Sequence, residues 1–142
     1  QSVIHSMVQF ADGSVKAQLA VPDMRLPISL ALQGGVREPL PIARQPFVGT
    51  TLHFEEPDAA HFPCLGLAFE AFRQGGNIPC LLNAANEVAV RAFLDERIGF
   101  TEIARLIEPI MTAVPYDATP TLEALLHYHD VATALASEQL SR

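Results

Sequence analysis

The sequence predicts an α+β chain: an N-terminal β-hairpin, then a linker, then an all-α C-terminal four-helix bundle. Three observations carry this. Alternating residues flank an Asp12-Gly13 turn near the N-terminus. Residues 36–48 hold Pro39, Pro41 and Pro46, with Gly49 just after, which reads as an extended linker. From Pro63 onward, apolar residues recur at helical spacing between glycine and proline breaks. The division is therefore 1–35 hairpin and short helix, 36–62 linker and 63–142 bundle.

The hairpin comes first. Residues 2–10 and 14–19 alternate, and a two-residue turn at Asp12-Gly13 sets Phe10 opposite Val15, Val8 opposite Ala17 and Ser6 opposite Leu19. Ile4, Val8, Phe10, Val15, Ala17 and Leu19 then share an apolar face, and His5, Met7, Gln9, Lys16 and Gln18 share the other. That second face is open to solvent, another subunit or an active site. A two-stranded hairpin is barely stable alone, so a larger sheet is expected, its other strands missing or supplied by a partner. Pro22-Asp23 marks a turn, 28–32 a short helix between Pro27 and Gly34-Gly35, and 50–55 a short strand.

Four helices follow. The first, 63–73, stops at Gly75-Gly76. The second, 80–98, starts after Pro79, closes on Gly99 and has no internal glycine or proline, giving about five turns. Leu81, Ala85, Val88 and Ala92 make its core stripe, widened by Leu82, Ala89 and Phe93. Asn83, Asn86 and Glu87 share the other face with Val90 and Leu94, which predicts a helix covered on both sides. Asn83 and Asn86 are then expected to be hydrogen-bonded and to fix packing rather than to catalyse. Glu87 and Arg91 are spaced for a surface pair. Thr101 is placed to cap a third helix through Ile103, Leu106 and Ile107, which Pro109 kinks or ends, with 110–114 continuing. Thr119-Pro120 starts a fourth, carrying Leu122, Leu125, Leu126, Val131, Ala132 and Leu135. Short connections make these a compact bundle.

The totals bound the function. A chain of 142 residues has room for one domain, or for a small domain plus a piece of another, and buries roughly 70% of its surface. Hydrophobic content of 49% against 18% charged residues excludes a disordered chain. A net charge of -7 with nine scattered basic residues argues against nucleic acid or an anionic membrane as partner. Cys64 and Cys80 are too far apart in sequence for a CxxC site and too few for a secreted disulfide scaffold; they read as reduced core thiols of a cytoplasmic protein, paired only if the fold joins them. The chain opens without methionine straight into a strand-like run, so a piece of a longer protein is expected.

Motif chemistry is sparse. His127 and His129 lie two apart on a helix and point to different faces, which disfavours a shared metal. His53 and His61 sit beside Glu55, Glu56 and Asp58 in what reads as a solvated acidic loop. No glycine-rich phosphate loop and no nucleophile elbow occur. His5 is the best single candidate, although a hydrogen-bonded structural histidine accounts for the pattern at least as well.

In order along the chain, SVIHSMV, DGS, PDMR, FEEPD, FPCL and above all LNAANEVAV resemble the C-terminal part of the 1-deoxy-D-xylulose 5-phosphate reductoisomerase family. The resemblance is densest over 1–28 and 54–108 and fades in the last helix. It implies an enzyme of the non-mevalonate isoprenoid pathway that rearranges its sugar phosphate substrate and reduces the product with NADPH to 2-C-methyl-D-erythritol 4-phosphate, with Mg2+ or Mn2+ on the substrate oxygens. It also implies a homodimer formed through the sheet of a central catalytic domain, so the hairpin becomes the end of that sheet.

The family's dinucleotide loop, acidic metal ligands and most phosphate contacts precede Gln1 by this resemblance, so no catalytic residue and no metal ligand is assigned here. What carries over is His5, near substrate and metal, and Pro22 and Met24, on the nicotinamide side of the pocket. A polarizable Met against a flat ring is physically apt, while a simple loop anchor accounts for Met24 about equally well. The family tryptophan after the PI segment is missing; the chain reads LALQGGVREPLP there. Two readings follow for the polypeptide by itself. Either it is part of a reductoisomerase, inactive alone and holding no cofactor, or it is an independent helical binding or assembly module. The unsupported hairpin favours the first.

Overall fold

The structure is a computed structural model describing residues 3–141. The chain divides into two compact units, Gln1–Phe54 and Glu55–Arg142, each taken by itself. Among the described residues, no helix is long and apolar enough to cross a membrane.

The first unit contains an antiparallel pair, β1 (Ile4–Gln9) and β2 (Val15–Leu19), followed by helix α1 (Arg25–Leu32). Ser2, expected to open the first strand, lies outside the described residues. The hairpin forms where expected but in a different register: Gln9 faces Val15, Val8 faces Lys16 and Met7 faces Ala17. The cause is the turn. Phe10 N–H bonds to Ser14 O at 2.9 Å and Gly13 N–H to Phe10 O at 2.9 Å, so the loop holds three residues, with Gly13 at φ 84°. Three-residue loops end in such a left-handed residue, which glycine supplies without strain. The Asp12 carboxylate completes the turn by accepting from Ser14 N–H at 2.8 Å and Ser14 Oγ–H at 2.6 Å.

A one-residue slip moves side chains to the opposite face, and the predicted single apolar face is thereby overturned. Val8 and Phe10 lie with Lys16, whose ammonium sits 5.6 Å from the Phe10 ring centre, while Val15 and Ala17 lie with Met7 and Gln9. Both faces carry exposed apolar groups. The predicted strand at 50–55 does not form; Thr50 instead closes a turn on Pro46, its Oγ–H bonding to Pro46 O at 2.8 Å.

The second unit is a four-helix bundle of α2 (Pro63–Gln74), α3 (Ile78–Leu94), α4 (Glu102–Thr112) and α5 (Leu122–Gln139). α3 is its axis and packs against the other three. Its buried residues are Ile78, Leu81, Ala84, Ala85, Ala89 and Ala92, and the small alanines let the neighbouring backbones approach. Ile103, Leu106, Ile107, Ile110 and Met111 of α4 and Ala132 and Ala136 of α5 complete the core.

α3 starts two residues before the predicted Cys80 and ends at Leu94 rather than Ile98. Its end is set by Glu96 at φ 57°, with Arg97 N–H bonding back to Ala92 O at 2.9 Å and Glu96 N–H to Phe93 O at 3.0 Å, a Schellman closure. Pro109 does not end α4, which runs on to Thr112. Proline removes the N–H that would bond to the Arg105 carbonyl, but both residues are exposed, where water replaces the lost bond. Thr101 stands at the N-cap position but its side chain makes no capping bond; Glu102 instead ties the preceding loop to the first turn, accepting from Gly99 N–H at 2.6 Å. The true cap of α5 is Thr121, whose Oγ1 accepts from Ala124 N–H.

Three expectations about side chains are corrected. Within the helical unit the outer face of α3 is not fully covered by the described residues: Asn83 is exposed, Asn86 half-buried, and neither makes a side-chain hydrogen bond among the described residues. Arg91 pairs with Asp95 at 3.2 Å rather than with Glu87, because the helix end brings Asp95 one turn on. Cys64 is exposed and Cys80 half-buried, both free, with the Cys80 thiol donating to Leu125 O at 3.3 Å.

The buried amide the sequence did not flag is Asn77, fully enclosed between α2 and α3. Its Nδ2 donates to Pro115 O at 3.0 Å, its Oδ1 accepts from Asp117 N–H at 3.1 Å, and its own N–H bonds to Asp117 O at 3.0 Å. Gly76 beside it has φ 57°, and a Cβ there would collide with the Asp117 carbonyl oxygen. Asn77→Ala strands two polar partners and should cost about 2–3 kcal/mol in urea unfolding; a loss within a few tenths would contradict this role. Glu96→Gly should stabilise by about 0.5 kcal/mol, by relieving a left-handed conformation unfavourable to a side chain; the thermal midpoint reports it.

Candidate functional site

The candidate site is assembled in the first unit, at the end of the hairpin remote from the Asp12-Gly13 turn. On β1, Ile4 faces Leu19 and Ser6 faces Gln18, so His5 is an extra residue with no partner across the ladder. It occupies a β-bulge, a device that re-aims a side chain and recurs beside active sites. His5 is exposed. The sequence placed it on a strand face, and the bulge was hidden because alternation looks the same on both sides of it.

β2 ends at Leu19, opposite Ile4, so the segment carrying Pro22 and Met24 leaves the sheet from the end where His5 sits. Ala20 N–H extends the ladder to Val3 O at 3.1 Å, and Asp23 N–H then bonds to Val21 O at 2.9 Å to turn the chain. Met24 stands at the start of α1 with 70% of its surface exposed, and Pro22 is exposed too. Between them Asp23 accepts from Arg25: backbone N–H to Oδ1 at 2.9 Å, Nε–H to Oδ1 at 2.9 Å and Nη2–H to Oδ2 at 2.6 Å. These bonds hold the Asp23 carboxyl below the usual carboxylate range and raise the Arg25 guanidinium. An exposed thioether beside a rigid turn suits a flat aromatic ring, and an exposed imidazole offers a hydrogen-bond donor and acceptor to a polar ligand.

The other histidines do not join this site. His61 Nδ1 lies 2.6 Å from Asp58 Oδ2, in a turn where Asp58 also accepts from the His61 and Ala60 N–H groups; the His61 backbone bond is the main reason its carboxyl is lowered. His53 lines a shallow cleft of about 410 Å³ with Ile4 and residues 49–52. His129 lines a separate groove of about 490 Å³ between α3 and α5, with Glu87, Arg91 and Arg97; His127 is exposed elsewhere on α5. Among the described residues, no group of three or more His, Cys, Asp or Glu is arranged to hold a metal ion. The residues present therefore do not by themselves fit a divalent cation, and no step is derived through one. They fit a nicotinamide only as one flank, through Met24.

The family model of the DXP reductoisomerase C-terminal domain matches residues 19–135. The 1-deoxy-D-xylulose 5-phosphate reductoisomerase of Porphyromonas gingivalis is 60% identical over 111 residues, covering 78% of this chain and 29% of that protein. That of Cellvibrio japonicus is 50% identical over 143 residues, covering 100% of this chain and 36% of that protein. The Zymomonas mobilis reductoisomerase, solved in complex with NADPH, superposes with a TM-score of 0.84 at 39% identity, over 99% of this chain and 38% of its own. A crystal structure of DOX-P reductoisomerase in complex with NADPH, fosmidomycin and magnesium superposes with a TM-score of 0.84 at 34% identity, over 99% of this chain and 37% of its own. The chain thus spans about a third of the length of the relatives it matches. The family-model match over most of the chain and the 50–60% identity to these relatives place the chain in the 1-deoxy-D-xylulose 5-phosphate reductoisomerase family, as its C-terminal part.

Proposed function

We propose that this polypeptide serves as the C-terminal portion of an NADPH-dependent reductoisomerase that converts 1-deoxy-D-xylulose 5-phosphate to 2-C-methyl-D-erythritol 4-phosphate in the cytoplasm. The observation that carries the reading is the likeness of nearly the whole chain to an enzyme solved with NADPH bound. Residues 1–35 are assigned to the end of the central catalytic domain, 36–62 to a linker and 63–142 to the C-terminal bundle. The hairpin's apolar groups on both faces support a place inside a larger sheet, and we assign homodimer contacts to that sheet.

Bound to the intact enzyme, NADPH would supply the hydride, and Mg2+ or Mn2+, held by residues outside this chain, would supply Lewis-acid polarisation. The contribution of this chain is positioning. His5, at its bulge, offers a ring N–H to the sugar phosphate; Met24 and Pro22 flank the nicotinamide. The dinucleotide loop and the metal ligands belong to the portion of the relatives that this chain does not span. The helical unit has a core of its own, which supports the alternative of an independent binding module.

Assays on both lengths decide between them. The 142-residue polypeptide should oxidise no NADPH in the presence of substrate and Mg2+, whereas the full-length protein should; activity in the short form overturns the assignment. In the full-length enzyme, His5→Ala should lower kcat/KM about tenfold to a hundredfold, the loss of a hydrogen bond to a charged ligand. Chelation should abolish turnover, and Mg2+ or Mn2+ should restore it. A full-length protein without this activity leaves the binding module as the better account.

A further inference from the structure

We propose that Asp23 and Arg25 are positioning residues for Met24: they clamp the turn on either side of it and so set how tightly the enzyme holds the nicotinamide end of NADPH. This rests on the reading above that Met24 flanks the cofactor.

The need for a clamp follows from packing. α1 buries none of its residues, and Pro22 and Met24 are exposed. Apolar contact holds the turn only at its half-buried flanks, Val21 and Leu26, and a long unbranched side chain on a loose turn would sample many positions. What fixes the segment is polar. The Asp23 carboxylate spans Met24 to reach both the backbone and the side chain of Arg25, with Nε also 3.1 Å from Oδ2. The fork of the guanidinium matches the two carboxylate oxygens, a geometry that an ammonium does not reproduce.

Backbone bonds close the remaining freedom. Leu26 N–H bonds to Asp23 O at 3.2 Å and Ile28 N–H to Met24 O at 3.2 Å, so the main chain of Met24 is tied on both sides while its side chain is left outward. An exposed ion pair by itself contributes little stability. Here the same carboxylate also satisfies a donor at the helix start, so its loss frees the turn rather than unfolding the protein.

The test uses full-length enzyme carrying Met24→Ala, Asp23→Ala, Arg25→Gln, Arg25→Lys and the Met24→Ala/Asp23→Ala double substitution. NADPH KM, substrate KM, kcat and thermal midpoints are measured for each. Met24→Ala should raise NADPH KM. Asp23→Ala and Arg25→Gln should raise it about fivefold with substrate KM unchanged, as expected for one lost cap and one lost clamp. Arg25→Lys should fall between Arg25→Gln and the parent. The double substitution should be no weaker toward NADPH than Met24→Ala alone.

Arg25 is exposed, so Arg25→Gln remains informative even if Asp23→Ala folds poorly. Unchanged NADPH KM in Arg25→Gln, or an effect of Asp23→Ala that adds in full to that of Met24→Ala, overturns the clamp while leaving Met24 beside the cofactor. Unchanged NADPH KM in Met24→Ala overturns the placement of Met24 itself, and the clamp with it.

Discussion

The helical unit depends on one buried amide. Asn77 sits where α2 turns into α3 and makes three hydrogen bonds with a loop about forty residues away, between α4 and α5, donating two and accepting one. Neighbouring groups reinforce the same seam: Tyr116 O–H bonds to Gln74 O at 2.9 Å, and Tyr128 O–H to Asp117 Oδ2 at 3.2 Å. Burial, and then the Asp117 carboxylate, push the Tyr128 phenol up, which keeps it a donor. An apolar core of alanine, leucine and isoleucine drives collapse but is tolerant of sliding. A satisfied buried amide is not, because any shift strands its partners. The seam thus fixes the pairing of the two helical hairpins, and the close alanine contacts of α3 follow from that pairing.

The first unit is organised on the opposite principle. Met7, Val8, Phe10 and Val15 are each about half exposed, and its strands bury almost nothing of themselves. Its shape is held by local polar bonds: Asp12 to Ser14, Asp23 to Arg25, and the short ladder between the strands. A segment held locally keeps its side chains available for other surfaces. That is the property a pocket wall requires, and it is why a bulged histidine and an outward methionine on this unit carry the functional reading.

How much of this was legible in the sequence differs between residues. The four helices were, because Pro63, Pro79 and Gly75-Gly76 punctuate a strong apolar period. The hairpin was also visible, but not its register: Asp12-Gly13 fits a two-residue and a three-residue loop equally well, and the choice is made by the Phe10–Ser14 bonds. The bulge at His5 is a separate shift at the far end of the ladder and left no trace in the alternation. Asn83 and Asn86 drew attention by sitting on an oddly apolar face, yet the amide that matters is Asn77, whose partners lie too far along the chain for periodicity to indicate. His5 stood out by its place on the less apolar face of the hairpin, with a structural role equally open, whereas Pro22 and Met24 came from motif resemblance alone.

The proposed function requires that the PDM turn present Met24 to the nicotinamide of NADPH. The most direct measurement is methyl NMR of the full-length protein labelled at methionine methyl groups, titrated with NADPH. The chain has three methionines, and Met111, buried in the bundle core, is an internal control. The account predicts that the Met24 methyl resonance shifts with NADPH while that of Met111 stays in place. A Met24 signal unmoved at saturating NADPH would contradict it.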